Sequence, residues 1–236
     1  MDYDFQFDEM HQAGASHADP KRALEYDSKM QKFRNYSQEA KEIARLLNIN
    51  DQMHVLDMGA GTGALTLELA HVCKEVTAVD VSAQMLKILT AKAHDRNIKN
   101  IKIVNSGFLT YDSKGRKFDR IISNVVLHHL PDFWKCIALR RMHSILQDDG
   151  MFLLSDVVFS FPMDDYRSEM NGFLSNLEKQ TDAEFVRDGV LHFKEEFSTF
   201  DWLLDQMIER AGFRIKEKNR RSSTGIGYVL MKEKIC

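Results

Sequence analysis

Cysteine is scarce: Cys73, Cys136 and Cys236 are the only three in 236 residues, with no CxxC spacing and an odd count. That argues against a disulfide framework. Neither sign of charge dominates. Lys and Arg number 32 against 35 Asp and Glu, a formal net charge of -3, so an overall field that grips nucleic acid is not expected. Long apolar runs are missing as well. The longest, near Met151 to Met163, is broken by Ser155 and Asp156 and is too short and polar to span a bilayer. The opening MDYDFQFDEM is acidic and lacks the basic-then-apolar pattern of a secretory signal. No internal repeat or low-complexity tract appears. The expectation is a cytoplasmic protein, monomer or homodimer, with no membrane partner. Hydrophobic residues still make up 44% of the chain, enough for a sizeable core.

Glycine is also sparse, with 12 in the chain, yet three of them fall at 59, 61 and 63 in VLDMGAGTG. Around this turn the sequence alternates. Phe33, Tyr36, Ala40, Ile43 and Leu47 mark one face of a helix within Lys21–Leu47. Met53–Met58 is a buried strand, and Ala64–Val72 has helical spacing. Glu75–Asp80 is a second strand, and Ser82 caps a helix striped by Met85, Leu86, Leu89 and Ala93. Further strands are expected at Ile101–Val104, Lys117–Asn124 and Met151–Val157, with a helix after Pro131. After Pro162 the rhythm breaks, and residues 163–197 hold helical pieces at Tyr166–Leu177 and Asp182–Arg187. A helix over Thr199–Arg210 and two strands, Phe213–Lys218 and Gly227–Met231, close the chain, with Arg220 to Gly225 as their turn.

This pattern predicts an α/β fold: a doubly wound, seven-stranded, mostly parallel sheet with a helical insertion acting as a lid. The organisation reads as an N-terminal arm with lid helices (1–50), an α/β core (51–160), a helical insertion (161–198), and a last helix and strand pair (199–236).

Three uses compete for the glycine turn. A Walker-type phosphate loop needs GxxxxGK[ST], and no Lys follows. A dinucleotide turn, GxGxx[G/A], fits Gly59, Gly61 and Ala64 literally. The third pattern places an acid two residues before the first glycine, as Asp57 is. A carboxylate sits badly beside a pyrophosphate but suits a ligand carrying an ammonium and a sulfonium. Asp80, ending the second strand 21 residues after Gly59, suits a ribose diol under either of the last two readings.

Four segments in order, VLDMGAGTGALTLELA, VTAVDVSAQML, FDRIISNVVLHHLPD and LQDDGMFLLSD, resemble the class I S-adenosylmethionine-dependent methyltransferases, more narrowly their methyltransferase domain 11/25-type families. The ordered match covers roughly residues 40–160, and EEFSTFDWLLDQMIERAGFRI resembles the family's last helix and strand. The resemblance implies that the chain is an enzyme, a transferase. It would use S-adenosyl-L-methionine, leave S-adenosyl-L-homocysteine, and have a small-molecule acceptor. It implies that Asp57, Gly59 and Gly61, with Ala60 between the glycines, line the methionine portion, and that Asp80 holds the ribose. Val81 and Met85 would lie near the adenine, Gly107 and Phe108 would face it, and Asn124 would set its backbone near the methionine. Tyr36 and Arg34 would cap the pocket. In one place the chain departs: the family often has Gly-Asp-Phe before the adenine contact, and here the run is Ser106-Gly107-Phe108. A backbone carbonyl or Ser106 is the expected substitute.

A base is needed only if the acceptor must lose a proton. Candidates are His128 and His129 in LHHL, then His192, Glu195 and Glu196; the strongest set is His128, His129 and Glu195. Adjacent side chains diverge, so one histidine at most is expected to face the ligand, and no metal is expected. Arg214, Lys216 and Lys218 repeat at period two, with Arg220 and Arg221 following. Such a row reads as the solvent face of an edge strand, so no strong nucleic-acid signal is seen. The alternatives are an RNA or protein methyltransferase using these strands, or a non-catalytic module that binds the donor or its product. Methyltransferases of exocyclic base amines carry Asn/Asp-Pro-Pro-aromatic, which Asn124-Val125-Val126-Leu127 does not match. An NAD enzyme is disfavoured by Asp57 and the antiparallel-looking ending.

Overall fold

In the computed structural model the described residues are 4–11, 23, 27, 30 and 34–233. Phe33, expected on the first helix's apolar face, lies outside them. Alternation along the strands becomes rows of side chains once the register is set. β1 (His54–Met58) lies between β2 (Glu75–Asp80) and β4 (Phe118–Asn124), parallel to both. β3 (Ile101–Asn105) extends the β2 side, and β5 (Leu146–Phe159) extends the β4 side. β8 (Gly225–Lys232) runs antiparallel to β5, and β7 (Phe213–Ser222) is the far edge. Among the described residues the order is β3-β2-β1-β4-β5-β8-β7, and β8 alone runs against the other strands.

The register aligns Leu56, Ile121, Phe152 and Leu230 on one face. They pack with Leu139 and Met142 of α4 (Asp132–Ile145) and with Leu204 and Ile208 of α7 (Asp201–Arg210). The opposite row is Asp57, Ile122, Leu153 and Val229. It faces Ala40 and Ile43 of α1 (Tyr36–Leu46) and Leu65 and Leu69 of α2 (Ala64–Leu69). Each fully buried apolar side chain of these rows contributes about 1.5–3 kcal/mol relative to exposure. Covering both faces is what a parallel sheet requires.

Side-chain caps start the two helices that flank the glycine turn's unit. Asn35 accepts from the Gln38 amide at α1, and Ser82 accepts from the Met85 amide at α3 (Ala83–Asp95). The stripe Met85, Leu86, Leu89 and Ala93 is buried.

The structure revises several boundaries. The insertion helices are longer than the sequence pattern suggests, α5 over Tyr166–Gln180 and α6 over Ala183–Glu195. Their side chains pack mainly on each other and on an aromatic set, with Phe193 near both Phe173 and Phe159. Thr199–Phe200 is a short strand, β6, beside β5 rather than the first turn of α7. Pairing of β7 with β8 continues to Ser222 and Gly225, so Arg220 and Arg221 belong to β7 and not to a turn. Among the described residues no helix is long and apolar enough to cross a membrane.

Candidate active site

β1 and β4 run side by side while the chain proceeds outward from them in opposite directions. Ligands of doubly wound sheets bind outside the carboxyl ends at such a reversal. A cavity of about 860 Å³, its mouth included, lies there.

The glycine turn forms its floor. Gly59 has φ +82°, and a Cβ on it would stand 2.6 Å from Val126 Cγ1, so both conformation and space demand glycine. Gly61 has φ +55° and nothing within 4 Å of where its Cβ would be, which leaves its backbone bare to the cavity. The Gly61 amide donates to Asp80 Oδ2, and the Ser82 amide donates to Asp80 Oδ1, both at 2.8 Å. These two amides fix the carboxylate at the cavity wall. Burial raises the Asp80 pKa, and the two amide bonds partly oppose it.

Gly59, Gly61, Asp80, Val81, Met85, Gly107, Phe108 and Asn124 all line the cavity. Asp57 does not. Strand alternation turns its side chain toward α2, while Met58, on the other face, reaches the cavity. The Asp57 carboxylate accepts from Thr66 Oγ1 at 2.5 Å and is buried. Burial pushes its pKa up to about 6, against the Thr66 bond and with help from Asp80. Ala60 also falls outside the lining and packs against the small core cluster that holds Leu67, Ala78 and Leu86. Tyr36 borders a second, charged cavity with Asp27, Lys92 and Arg96, and the Arg34 guanidinium lies 4.7 Å over its ring. Neither Tyr36 nor Arg34 reaches the donor cavity, because α1 covers the opposite face of the sheet.

The corner after β3 holds a carboxylate that the motif did not contain. Glu9, in the N-terminal arm, accepts on one oxygen from the Leu109 amide, the Thr110 amide and Thr110 Oγ1, each at 2.8 Å. With its proton given to Glu9, Thr110 Oγ1 accepts from the Gly107 amide at 3.0 Å and from Ser106 Oγ at 2.9 Å. Phe7, Glu9 and His11 all line the cavity, so the described part of the arm is a wall of the site. Phe7 meets Phe197, just past α6, edge-on at 6.2 Å.

Beyond β4 the histidines of LHHL sit in a one-turn 3-10 helix, Leu127–His129. His129 lines the cavity, and His128 is buried behind it. His128 Nδ1 lies 2.5 Å from Asp156 Oδ1, and its own amide donates to Asp156 Oδ2. On the other side, its Nε2 lies 3.2 Å from Glu196 Oε2, which His192 Nδ1 also contacts. Ser198 Oγ holds His192 Nε2 at 2.8 Å. Burial lowers the His128 pKa, but Asp156 and Glu196 outweigh it and bring it to about 9. Glu196 resists the upward push of burial and is held well below the usual carboxylate range by His128 and His192. Glu195 takes no part: it is exposed. Glu196 is the engaged neighbour because it follows His192 by one helical turn. That i,i+4 spacing was the available signal.

Comparison with known proteins supports the family resemblance seen in the sequence. Residues 55–150 fit the methyltransferase domain family. An uncharacterised methyltransferase of Bacillus pumilus is 33% identical over 181 residues, 77% of this chain and 76% of that protein. The chain belongs to the class I S-adenosylmethionine-dependent methyltransferases. A methyltransferase of Oceanobacillus iheyensis is 32% identical over 127 residues, but there the match spans only 54% of this chain and 55% of the relative. Among solved structures, an S-adenosylmethionine-dependent methyltransferase from Clostridium acetobutylicum superposes with a TM-score of 0.67, 16% identity, and 91% and 98% coverage of the two chains. At that identity the likeness shows the fold.

This methyltransferase chain has a donor set that fits the family's cosubstrate. A carboxylate fixed by two amides faces the cavity beside a bare glycine backbone, with Met85 and Phe108 as apolar walls.

Proposed function

We propose that the chain transfers a methyl group from S-adenosylmethionine to a small-molecule acceptor. The observation that carries this reading is the cavity at the strand reversal, floored by Gly59, Gly61 and Asp80 and walled by the chain's own N-terminal arm.

Asp80 would hold the ribose diol, because its two oxygens are aimed and immobilised by backbone amides. Gly59 and Gly61 permit close backbone approach at the methionine end. Glu9 would serve the adenine edge, in the corner formed by Gly107 and Phe108. When bound, S-adenosylmethionine supplies an electrophilic sulfonium methyl, already activated for displacement by an acceptor lone pair. The protein's share is then positioning and exclusion of water. Phe7 and His11 of the arm narrow the mouth, and Phe197 ties the arm to the insertion. Of the LHHL pair, His129 presents a polar ring to the acceptor side.

Small acceptors are favoured over RNA or protein because part of the basic row is already paired. Lys218 bonds to Asp201 and Asp205 of α7, and Arg214 pairs with Glu233. Cations held by neighbouring acids form a poor phosphate track. Calorimetry with S-adenosylhomocysteine and with NAD tests the donor assignment. Binding of the former and not the latter is expected; the reverse sinks it.

A further inference from the structure

The cluster behind His129 is richer than methyl transfer from an activated donor requires. Three imidazoles and two carboxylates converge on one point between β4, β5 and α6. The rings of His128 and His129 are 4.3 Å apart, and those of His128 and His192 are 4.9 Å apart. Neighbouring histidines diverge on a strand or a regular helix, but the 3-10 turn and the Asp156 clamp on His128 bring these two together.

We propose that His128, His129 and Glu196 bind a divalent transition-metal ion of the zinc type at the acceptor side of the cavity. One ligand atom from each of the three lies within 4.8 Å of the other two. Ligand atoms at about 2.0–2.2 Å from a shared ion stand roughly 3–3.5 Å apart. The His128 Nε2 to Glu196 Oε2 separation, 3.2 Å, already has that value. His129, only partly buried, has room to close the remaining gap. Two nitrogens and one carboxylate oxygen suit Zn²⁺, Fe²⁺ or Co²⁺, whereas Mg²⁺ and Ca²⁺ take oxygen sets.

The surroundings support the assignment independently. In metal sites the second nitrogen of a ligating histidine is held by a carboxylate, which fixes ring and tautomer. Asp156 does this to His128 Nδ1. Ser198 does the equivalent to His192 Nε2, leaving His192 Nδ1 directed at the same Glu196 oxygen, where it orients that carboxylate. A third-ligand site beside the cavity would leave a coordination position for an acceptor oxygen, nitrogen or sulfur and lower its pKa, as metal-bound water is acidified. That use rests on the methyl-transfer reading; ion binding does not.

The test uses the tag-free full chain, stripped with a chelator and titrated with Zn²⁺ by calorimetry, with Co²⁺ absorption as a second reading. One ion per chain is expected, with His129→Ala and Glu196→Gln each weakening it at least tenfold and Asp156→Asn weakening it about tenfold. Circular dichroism and thermal melting check that each variant folds. If Glu196→Gln does not fold, His129→Gln carries the test, since that ring is at the cavity edge. A wild-type chain that takes up no Zn²⁺, or uptake unchanged by the His129 substitutions, overturns the proposal and leaves the cluster as an ionic clasp between insertion and core. Failure to bind S-adenosylhomocysteine would sink the methyl-transfer reading and leave this result standing.

Discussion

The carboxylate of Glu9 occupies the space that a side chain at Gly107 would fill. A Cβ on Gly107 would stand 2.5 Å from Glu9 Oε2. Gly107 is the position where relatives of this type often carry an aspartate, so the arm returns to this corner the charge that the loop lacks.

This relationship predicts a compensating pair. Glu9→Ala strands the Leu109 and Thr110 amides and should weaken S-adenosylhomocysteine binding about tenfold. Gly107→Asp alone should clash with Glu9 and expel the arm. The double variant should recover most of the affinity, giving a coupling of about 1 kcal/mol or more in a double-mutant cycle. Calorimetry on the four proteins measures it, and additive losses would count against the shared role.

Much of this site was legible, and the illegible parts share a cause. Positive φ at 59 and 61 is written into residue type, and Asp80 follows from the length of one strand-turn-helix unit. Glu9 reaches Leu109 across 100 residues, a contact that no local pattern encodes. Asp57 was visible as an acid, but its direction depends on strand phase, which turns it to Thr66 and away from the cavity. The choice of Glu196 over Glu195 likewise depends on helix phase. His128 and His129 meet only because a 3-10 turn replaces the regular geometry assumed for them.

Asp57 predicts a pH dependence of stability. Its folded pKa, about 6, lies above the ordinary 3.8. The folded state therefore favours the protonated carboxyl. The contribution is fully present below about pH 4 and is lost as pH rises through 6, a change of about 3 kcal/mol. Asp57→Asn should match the wild type at pH 4 and exceed it in stability at pH 8, because an amide oxygen keeps the Thr66 bond without charge. Urea unfolding at the two pH values measures this; a gap that shrinks toward pH 8 would contradict it.

The insertion should respond to Gly189, where α6 crosses α5. A Cβ there would lie 2.8 Å from Leu177 Cδ1 and 3.2 Å from Leu174 Cδ2. Gly189→Val should force the helices apart at a cost of about 1–3 kcal/mol. Neither helix has a fully buried residue, so the effect should stay local. Limited proteolysis within 166–195 should accelerate while the main thermal transition moves little. Unchanged cleavage would show that the two helices are not held by this crossing.

The account rests most heavily on transfer from the cavity floored by Gly61 and Asp80. Its direct measurement is incorporation of labelled methyl from S-adenosylmethionine into a cell extract fractionated into small molecules, RNA and protein, with Asp80→Asn as the control. That substitution keeps an acceptor for one amide but removes the charge, and should reduce transfer at least a hundredfold. Label in the small-molecule fraction, lost with Asp80→Asn, is the predicted result. Label confined to RNA or protein, or no label from a chain that binds S-adenosylhomocysteine, would contradict the account.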